Sequence, residues 1–265
     1  MFNVFKKIII VAVALWVTGC AQTSVRHHQD FEEVAKTVST VVVLPADVEV
    51  ELLTFDGENE MLEEKSTQIR NSIDAIAKAK LKEENLNVIE FDFATEIAAN
   101  EDFAYAITTA KEAWGKAKED MYQTGFVDEK KKAEFQTSFG SVLNIIADKT
   151  NADAVLLMHY SGFEKSEGLI AKDLASSVLV GVLTMGAVVP VQATSGSFID
   201  VALVDANSGK VIWANRKPGA TTDEVPASVV FSELPDLVWK SELTNTPEVA
   251  SKNEEINADE APQTP

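Results

Sequence analysis

Cysteine is almost absent from this sequence of 265 residues, in which Cys20 is the only one. A single cysteine excludes an intramolecular disulfide and a zinc site built from several cysteines. Basic residues are also few, because 23 Lys and Arg stand against 42 Asp and Glu and leave a net charge of −19. Nucleic-acid binding requires clustered Lys and Arg to neutralise phosphates, so this balance argues against a nucleic-acid partner.

The common catalytic signatures are missing too. The chain contains no Gly-x-x-x-x-Gly-Lys, Gly-x-Gly-x-x-Gly, Gly-x-Ser-x-Gly or His-Glu-x-x-His, the patterns typical of phosphate binding, acyl transfer and zinc hydrolysis. His159 is the only histidine in the predicted folded region, and we expect it to be a hydrogen-bonded structural residue of a strand. We therefore expect no enzyme, cofactor or metal site, although the 42 acidic residues leave open a hydrolase that uses carboxylates alone.

The amino terminus has the features of a secretory signal. Lys6 and Lys7 precede ten uncharged apolar residues, 8 to 17, about half of the roughly 20 residues that a spanning helix needs. The tetrad Val17-Thr18-Gly19-Cys20 follows and resembles the lipobox of bacterial lipoproteins. The resemblance implies that signal peptidase recognises Val17, Thr18 and Gly19, cleaves before Cys20, and leaves a diacylglycerol on the Cys20 thiol.

The residue after the cysteine points to a location. Asp at this position implies inner-membrane retention in enteric bacteria, and this chain has Ala21 instead. We therefore expect a Gram-negative outer-membrane protein on the periplasmic face, with the membrane as a partner through the lipid on Cys20. Lipid chains contribute about 0.8 kcal/mol per buried methylene, so several chains form a durable anchor. Removal of residues 1–19, the predicted signal peptide, leaves 42 acidic and 21 basic residues and a net charge of −21.

The composition divides the mature chain into three parts. Residues 20–36 are polar without a steady apolar period and predict a solvated, lipidated tether that includes His27 and His28. Residues 244–265 are acidic and rich in proline, with almost no large apolar side chain, and predict a disordered tail. Residues 37–243 are predicted to form a single α/β domain.

Within that domain, two periodicities alternate. A spacing of two predicts strands, and spacings of three, four or seven predict helices. The expected order is a strand at 38–45, a helix at 62–84, a strand at 87–93, helices at 103–121 and 135–146, a strand at 151–161, a hairpin of 197–204 with 210–215, and a closing helix at 223–243 that Pro235 bends or splits. This order indicates an α/β (α+β) sandwich with a mixed sheet of about five strands.

Three short segments resemble periplasmic lipoproteins with the fold of the TolB amino-terminal domain and of the curli-secretion channel. They are Val41-Val-Val-Leu-Pro45, Thr150-Asn-Ala-Asp-Ala-Val-Leu156 and Val201-Ala-Leu-Val-Asp-Ala-Asn-Ser-Gly-Lys-Val-Ile-Trp213. The resemblance covers residues 38 to 240 and implies a role in an envelope process, usually without catalysis. We expect structural roles for the landmark residues: Asp205 and Gly209 in a turn, Asp153 as a cap or bonded to a nearby loop, and Trp213 on a sheet face.

An uncharged apolar stretch at residues 174–191 departs from an ordinary soluble domain. Its 18 residues are at the lower limit for a spanning helix. Three interpretations stay open: a buried helix or loop, an oligomer or interfacial membrane contact, and a membrane-inserted β-hairpin, which the lack of alternation disfavours. The residues expected to make an oligomer or membrane contact are Val178, Leu179, Val182, Leu183 and Met185.

These observations favour a non-enzymatic interaction or assembly subunit in an envelope process, with a periplasmic protein partner or self-association. One alternative is a subunit of a homo-oligomeric export or secretion channel, for which residues 174–191 are the motivation. The other is the carboxylate-dependent hydrolase of envelope polymers, which would require acidic side chains about 5 to 9.5 Å apart in a cleft.

Overall fold

The computed structural model describes residues 22–176, 193–235 and 237. The predicted signal peptide, Cys20 and the acidic tail at 244–265 lie outside the described residues, as do residues 177–191 of the apolar stretch.

The described residues form ten strands, most of them in one sheet. The strands are β1 (Gln22–Thr23), β2 (Arg26–His27), β3 (Thr40–Val43), β4 (Asp47–Leu53), β5 (Glu60–Met61), β6 (Asn87–Ile89), β7 (Val127–Asp128), β8 (Ala154–Lys165), β9 (Ser195–Asp205) and β10 (Val211–Gly219). Eight of them form the main sheet, in the order β2-β10-β9-β8-β3-β6 with β4 beside β8 and β5 beside β4, whereas β1 and β7 pair separately.

Seven α-helices accompany these strands in the described part of the chain. They are α1 (Phe31–Ala35), α2 (Glu63–Glu83), α3 (Phe93–Ala99), α4 (Glu101–Met121), α5 (Asn144–Thr150), α6 (Glu167–Ser176) and α7 (Val225–Phe231). None of the described helices is both long enough and apolar enough to cross a membrane.

The sheet is mixed and separates two hydrophobic cores. Strand β3 is parallel to β6 and β8, and β9 is antiparallel to both of its neighbours, β8 and β10. Helices α1, α2 and α7 cover one face, where every fourth residue of α2 from Ile69 to Leu81 is buried. Helices α3, α4 and α5 cover the opposite face, which we call the α4 face. The predicted mixed α/β sandwich is therefore confirmed.

The connections of two neighbouring parallel strands diverge. The chain leaving β3 runs through β4 and β5 into α2, whereas the chain leaving β6 runs into α3 and α4 on the opposite face. In open α/β sheets such a divergence opens a crevice at the carboxyl ends of the strands. A pocket occurs at this point of the sheet.

The predicted C-terminal hairpin is confirmed as β9 and β10. Asp205 Oδ1 accepts a hydrogen bond from the Ser208 backbone N–H at 2.6 Å, and Gly209 has φ of +69°. A side chain at Gly209 would place its Cβ 2.1 Å from the Gly140 carbonyl oxygen, so the turn requires glycine for space as well as for conformation. Asp205 and Gly209 thus have the expected turn roles.

Two helix predictions need correction. The predicted helix at 135–146 is replaced by irregular chain, a 3₁₀ turn (Gly140–Leu143) and α5, because the backbone of residues 135 to 139 bonds to neighbouring segments instead of to itself. Of the closing helix predicted at 223–243, the described residues form only α7, which ends before Pro235, and residues 238–243 lie outside the described residues. The strand predicted at 87–93 is also shorter, since Phe93 begins α3 and the Asp92 side chain caps that helix.

The predicted tether over residues 20–36 is also corrected where the structure describes it. Residues 22 to 35 form β1, β2 and α1, and Arg26 and His28 are only 1% and 3% exposed. The Ser24 hydroxyl donates to Asn215 Oδ1 at 2.7 Å, across 191 residues of sequence. This segment is polar because its buried side chains bond to the rest of the fold, not because water surrounds it.

Candidate functional site

A row of ionisable side chains crosses four adjacent strands on the α4 face. The pairings are Asp47 of β4 with His159 of β8, His159 with Asp200 of β9, and Asp200 with Arg216 of β10. Because directly paired residues point to the same side of a sheet, the four side chains form one line. We call these four residues the polar row.

Asp200 is the centre of the polar row and is only 4% exposed. Arg216 Nε donates to Asp200 Oδ1 at 2.5 Å, and Lys118 Nζ of α4 lies 3.6 Å from Oδ2. His159 Nδ1 is 3.7 Å from the same Oδ2, which is an electrostatic contact and too long for a hydrogen bond. Burial alone would raise the pKa of Asp200, but His159, Arg216 and Lys118 lower it below its usual value. The carboxylate is therefore ionised and compensated.

Aromatic stacking joins the polar row to the amino-terminal strands. The Arg216 guanidinium lies 4.2 Å from the ring centre of Tyr122, and the Arg26 guanidinium lies 4.8 Å from it. Arg26 Nε also donates to the Met121 carbonyl oxygen at 3.1 Å. Burial raises the pKa of Tyr122, so the phenol stays neutral. Cation–π contacts of this kind gain strength when they are desolvated.

A small pocket opens beside the polar row, with an empty volume of about 310 Å³. Its polar lining is Asp47, Lys111, Lys118 and His159, together with the indole of Trp114. Lys111 Nζ lies 3.6 Å from Asp47 Oδ1, so each lysine faces an aspartate. Among the described residues, no Ser, Thr or Cys lines this pocket, so none of them offers His159 a hydroxyl or thiol to activate as a nucleophile.

A second pocket lies at the crevice between β3 and β6, with an empty volume of about 510 Å³. Asp74 and Lys78 of α2 line it together with Asp92. Within the described chain, Asp74 Oδ1 is buried without a hydrogen-bond partner, and burial raises the pKa of Asp74 to about 6. Asp92 differs, because hydrogen bonds from the Thr95 hydroxyl and backbone N–H lower its pKa. We call this site the crevice pocket.

Two further landmark residues, Asp153 and Trp213, are placed as expected. Asp153 Oδ2 accepts hydrogen bonds from the backbone N–H groups of Ser39 and Thr40 at 3.0 and 2.8 Å, and so fixes the start of β3. The indole of Trp213 is fully buried and packs against Phe231, with ring centres 6.3 Å apart. These residues shape the fold and form no site.

The remaining predicted site residues lie outside the described residues. They are the lipidation site Cys20, the peptidase-recognition residues Val17, Thr18 and Gly19, and the contact residues Val178, Leu179, Val182, Leu183 and Met185. The export-channel alternative rests on the last group, so it stays a prediction. In the described ranges, no three His, Cys, Asp or Glu side chains are grouped so that they could hold a metal ion.

Sequence reasoning missed most of the polar row. It singled out His159 but not Asp47, Asp200 or Arg216, nor Lys118 of α4 beside them. The usable signal was that Asp200 is a charged residue inside an otherwise apolar strand of the predicted hairpin and that Arg216 directly follows the other strand, since buried charges require partners.

No protein-family model matches the sequence, and no curated protein is significantly similar to it. Similar solved structures include lipoprotein GNA1162 from Neisseria meningitidis, at 13% identity and a TM-score of 0.26 over 68% of this chain and 78% of that one. A PelC dodecamer from Paraburkholderia phytofirmans has 11% identity and a TM-score of 0.29 over 82% and 94%. The LpoB C-terminal domain from Salmonella enterica has 12% identity and a TM-score of 0.23 over 72% and 94%. At such low TM-scores, none of the three assigns a function to this chain.

Proposed function

We propose that this chain is a lipid-anchored lipoprotein on the periplasmic face of the outer membrane, where it acts as a non-enzymatic interaction or assembly subunit in an envelope process. The carrying observation is the position of Cys20 relative to the fold. Strand β1 begins at Gln22, so two peptide units separate the lipobox cysteine from the folded domain. Two residues span at most about 7 Å, so a lipid on Cys20 would hold the domain directly at the membrane.

The state of the charged groups supports a role without catalysis. Asp200 is compensated by Arg216 and Lys118, and Lys111 faces Asp47. The buried centre of this cluster, Asp200 with Arg216 and Lys118, holds β9 and β10 against α4, and breaking such a compensated cluster is costly. Catalytic groups, in contrast, need a reacting partner within reach.

Replacement of Cys20 tests the anchor. Intact protein should gain the mass of the attached lipid and fractionate with the outer membrane, whereas Cys20→Ser should lack that mass and be released. Ala21→Asp is the matched control, because it keeps the cysteine and should move the lipidated protein to the inner membrane. A Cys20→Ser protein that still fractionates with the outer membrane would contradict the proposed anchoring.

A second candidate function is the carboxylate-dependent hydrolysis of envelope polymers, which one observation favours. Asp74 and Asp92 line the same crevice pocket, and their pKa values are shifted in opposite directions. Such a pair of shifts is the pattern of a general acid and an ionised partner. Against this function, both oxygens of Asp92 already accept hydrogen bonds from Thr95.

Turnover of peptidoglycan or of an exported polysaccharide by the purified protein decides between the two functions. Hydrolysis that is lost in both Asp74→Asn and Asp92→Asn, with folding intact, would establish the enzyme and overturn the non-enzymatic proposal. Equal, background product from the intact protein and both variants is the expected result.

A further inference from the structure

The register of β1 shows where the predicted anchor leaves the fold. Gln22 pairs with Asp128 and Thr23 pairs with Val127, in antiparallel orientation. The amino-terminal end of β1 therefore lies beside Asp128, immediately before the 3₁₀ turn Glu129–Lys131. Since Cys20 is two residues from Gln22, it is within about 7 Å of that strand end by covalent geometry alone. A lipid on Cys20 would bring this corner of the domain to the headgroups.

Hydrogen bonds from the buried Arg26 side chain hold the corner to the domain. Arg26 donates from Nη1 to the Thr23 carbonyl oxygen at 3.1 Å and from Nη2 to the Gly125 carbonyl oxygen at 2.5 Å. The same guanidinium bonds the end of α4 through the Met121 carbonyl oxygen. Strand β1 and the turn opposite it are thus fixed to the domain, so an anchored protein has a defined side facing the membrane.

The exposed side chains of this corner suit a lipid surface. Phe126 is 54% exposed, and Lys130 and Lys131 are exposed without an ion pair among the described residues. Lys132 is paired with Glu129. Residues 130–132 are the only three consecutive basic residues in a chain with a net charge of −19. Aromatic rings and lysines are the side chains that favour the headgroup region.

We propose that Phe126, Lys130 and Lys131 form a membrane-contact corner that docks on the anionic lipid headgroups around the anchor. This inference rests on the lipidation of Cys20 proposed above. The lysines attract the lipid surface while the strongly acidic remainder of the domain is repelled from it. This attraction and this repulsion together orient the domain, with the membrane-contact corner at the membrane and the rest of the fold toward the periplasm.

Site-specific labelling tests the orientation, because lipidation consumes the only native thiol and makes any new cysteine unique. Thr124→Cys places a fluorophore in the exposed turn beside Phe126 and leaves the corner residues in place. Tyr105→Cys is the matched control, at a side chain 73% exposed on α4 and about 24 Å along the helix from its carboxyl end. The lipidated proteins are placed in vesicles of phosphatidylethanolamine and phosphatidylglycerol, and quenching by aqueous iodide is measured.

We expect quenching at position 124 to fall several-fold relative to unlipidated Cys20→Ala protein carrying the same label, while quenching at position 105 stays the same. Phe126→Ser should weaken the protection of position 124 from iodide. The double variant Lys130→Gln with Lys131→Gln should weaken it too, because each lost lysine lowers the partition of the corner to the membrane about fivefold. Lys82→Gln with Lys116→Gln, two exposed lysines elsewhere, should leave the protection unchanged.

The two proposals fail in different ways. Equal quenching at positions 124 and 105, in protein whose mass shows the lipid, would overturn the docking corner and leave the anchor intact. Protection at 124 that persists in the Phe126 and lysine variants would overturn the role of those three side chains. A protein without the lipid mass would overturn the anchoring itself.

Discussion

Two sites in the described part of the chain, the polar row and the crevice pocket, each contain an aspartate that is at least partly buried, and the pKa values of the two aspartates shift in opposite directions. At the polar row, cationic neighbours lower the pKa of Asp200 despite its deeper burial. At the crevice pocket, burial raises the pKa of Asp74 to about 6, and the Ala46 backbone N–H and Lys78 only partly offset it. The difference lies in the partners, since Lys78 is already bonded to Glu90 at 2.6 Å.

This difference separates a cluster with a structural role from a pocket whose aspartate can still accept a hydrogen bond. Asp200 has its charge satisfied by groups on two strands and one helix, so its environment favours the ionised form. Asp74 Oδ1 has no hydrogen-bond partner among the described residues, so its environment favours the neutral form. Burial alone therefore does not predict the protonation state of an acid: Asp200 is bonded directly to Arg216, whereas Asp74 only has Lys78 and Arg70 near it.

The largest expected effect comes from removing a cation of the polar row. Arg216→Met should lower the free energy of unfolding by about 3–5 kcal/mol, because it leaves Asp200 buried without its hydrogen-bonded partner. It also removes the stacking on Tyr122. Urea denaturation at pH 7 measures the loss.

A double variant shows whether the cost is due to the uncompensated charge. Asp200→Leu with Arg216→Met should recover part of the stability lost in Arg216→Met, with a coupling energy of at least about 1 kcal/mol. Strict additivity of the two single losses would contradict the compensation that distinguishes the polar row from the crevice pocket.

Much of the fold could be predicted from the sequence, but strand β4 could not. The β-branched run of β3, the four-residue spacing in α2 and the turn at Gly209 are local signals, and local signals decide regular elements. Strand β4 was missed although Asp47-Val-Glu-Val-Glu51 alternates, because Pro45 was interpreted as the end of strand structure. The structure shows that Leu44 to Ala46 only interrupts the pairing of β3 and β4 with β8.

The site was less predictable because it depends on register and on contacts between distant segments. A bulge between Val211 and Trp213 shifts β10 by one residue. Without the bulge, Asp200 would pair with Asn215 instead of Arg216. The burial of Arg26 likewise depends on the end of α4, 95 residues away. No periodicity within one segment reports such contacts.

The next effect, of opposite sign, is expected at the crevice pocket. Asp74→Asn should stabilise the protein at pH 7.5 by about 1–2 kcal/mol, since a buried polar atom without a partner costs about 1–3 kcal/mol and Asp74 is only partly buried. Thermal unfolding measures the gain. A loss of stability at pH 7.5 would show that ionised Asp74 has a partner and would remove its contrast with Asp200.

The pH dependence sharpens the same comparison. The folded-state pKa of Asp74 is raised to about 6, so its penalty should grow as the pH rises from about 3.9, the unfolded value, through about 6. The gain in Asp74→Asn should therefore shrink at pH 4. Asp200 has a lowered pKa, so its stabilisation is present above about pH 3.9 and is lost as the pH falls below it. Wild-type and variant unfolding curves from pH 3 to 8 separate the two trends.

A smaller effect is expected at Asp92, the other acid of the crevice pocket. Its side chain accepts a hydrogen bond from the Thr95 backbone N–H at 3.0 Å and so caps α3. Asp92→Ala should cost about 1 kcal/mol of unfolding free energy, whereas Asp92→Ser should retain most of it, because serine is also an N-cap residue. An equal loss in both variants would mean that the charge of Asp92, and not its cap, matters in this pocket.

The smallest effect is expected where the polar row reaches the surface. Lys111 Nζ and Asp47 Oδ1 are 3.6 Å apart, and their side chains are 37% and 45% exposed. Solvent screens such a pair, so Lys111→Ala and Asp47→Asn should each change the unfolding free energy by less than about 0.5 kcal/mol. A loss above about 1 kcal/mol from Asp47→Asn alone, measured beside Arg216→Met, would show that the compensation of Asp200 extends through His159 to the rim. In that case the four residues of the polar row would act as one unit across four strands. The compensation of charge that distinguishes the polar row from the crevice pocket would then include Asp47 as well as the buried Asp200.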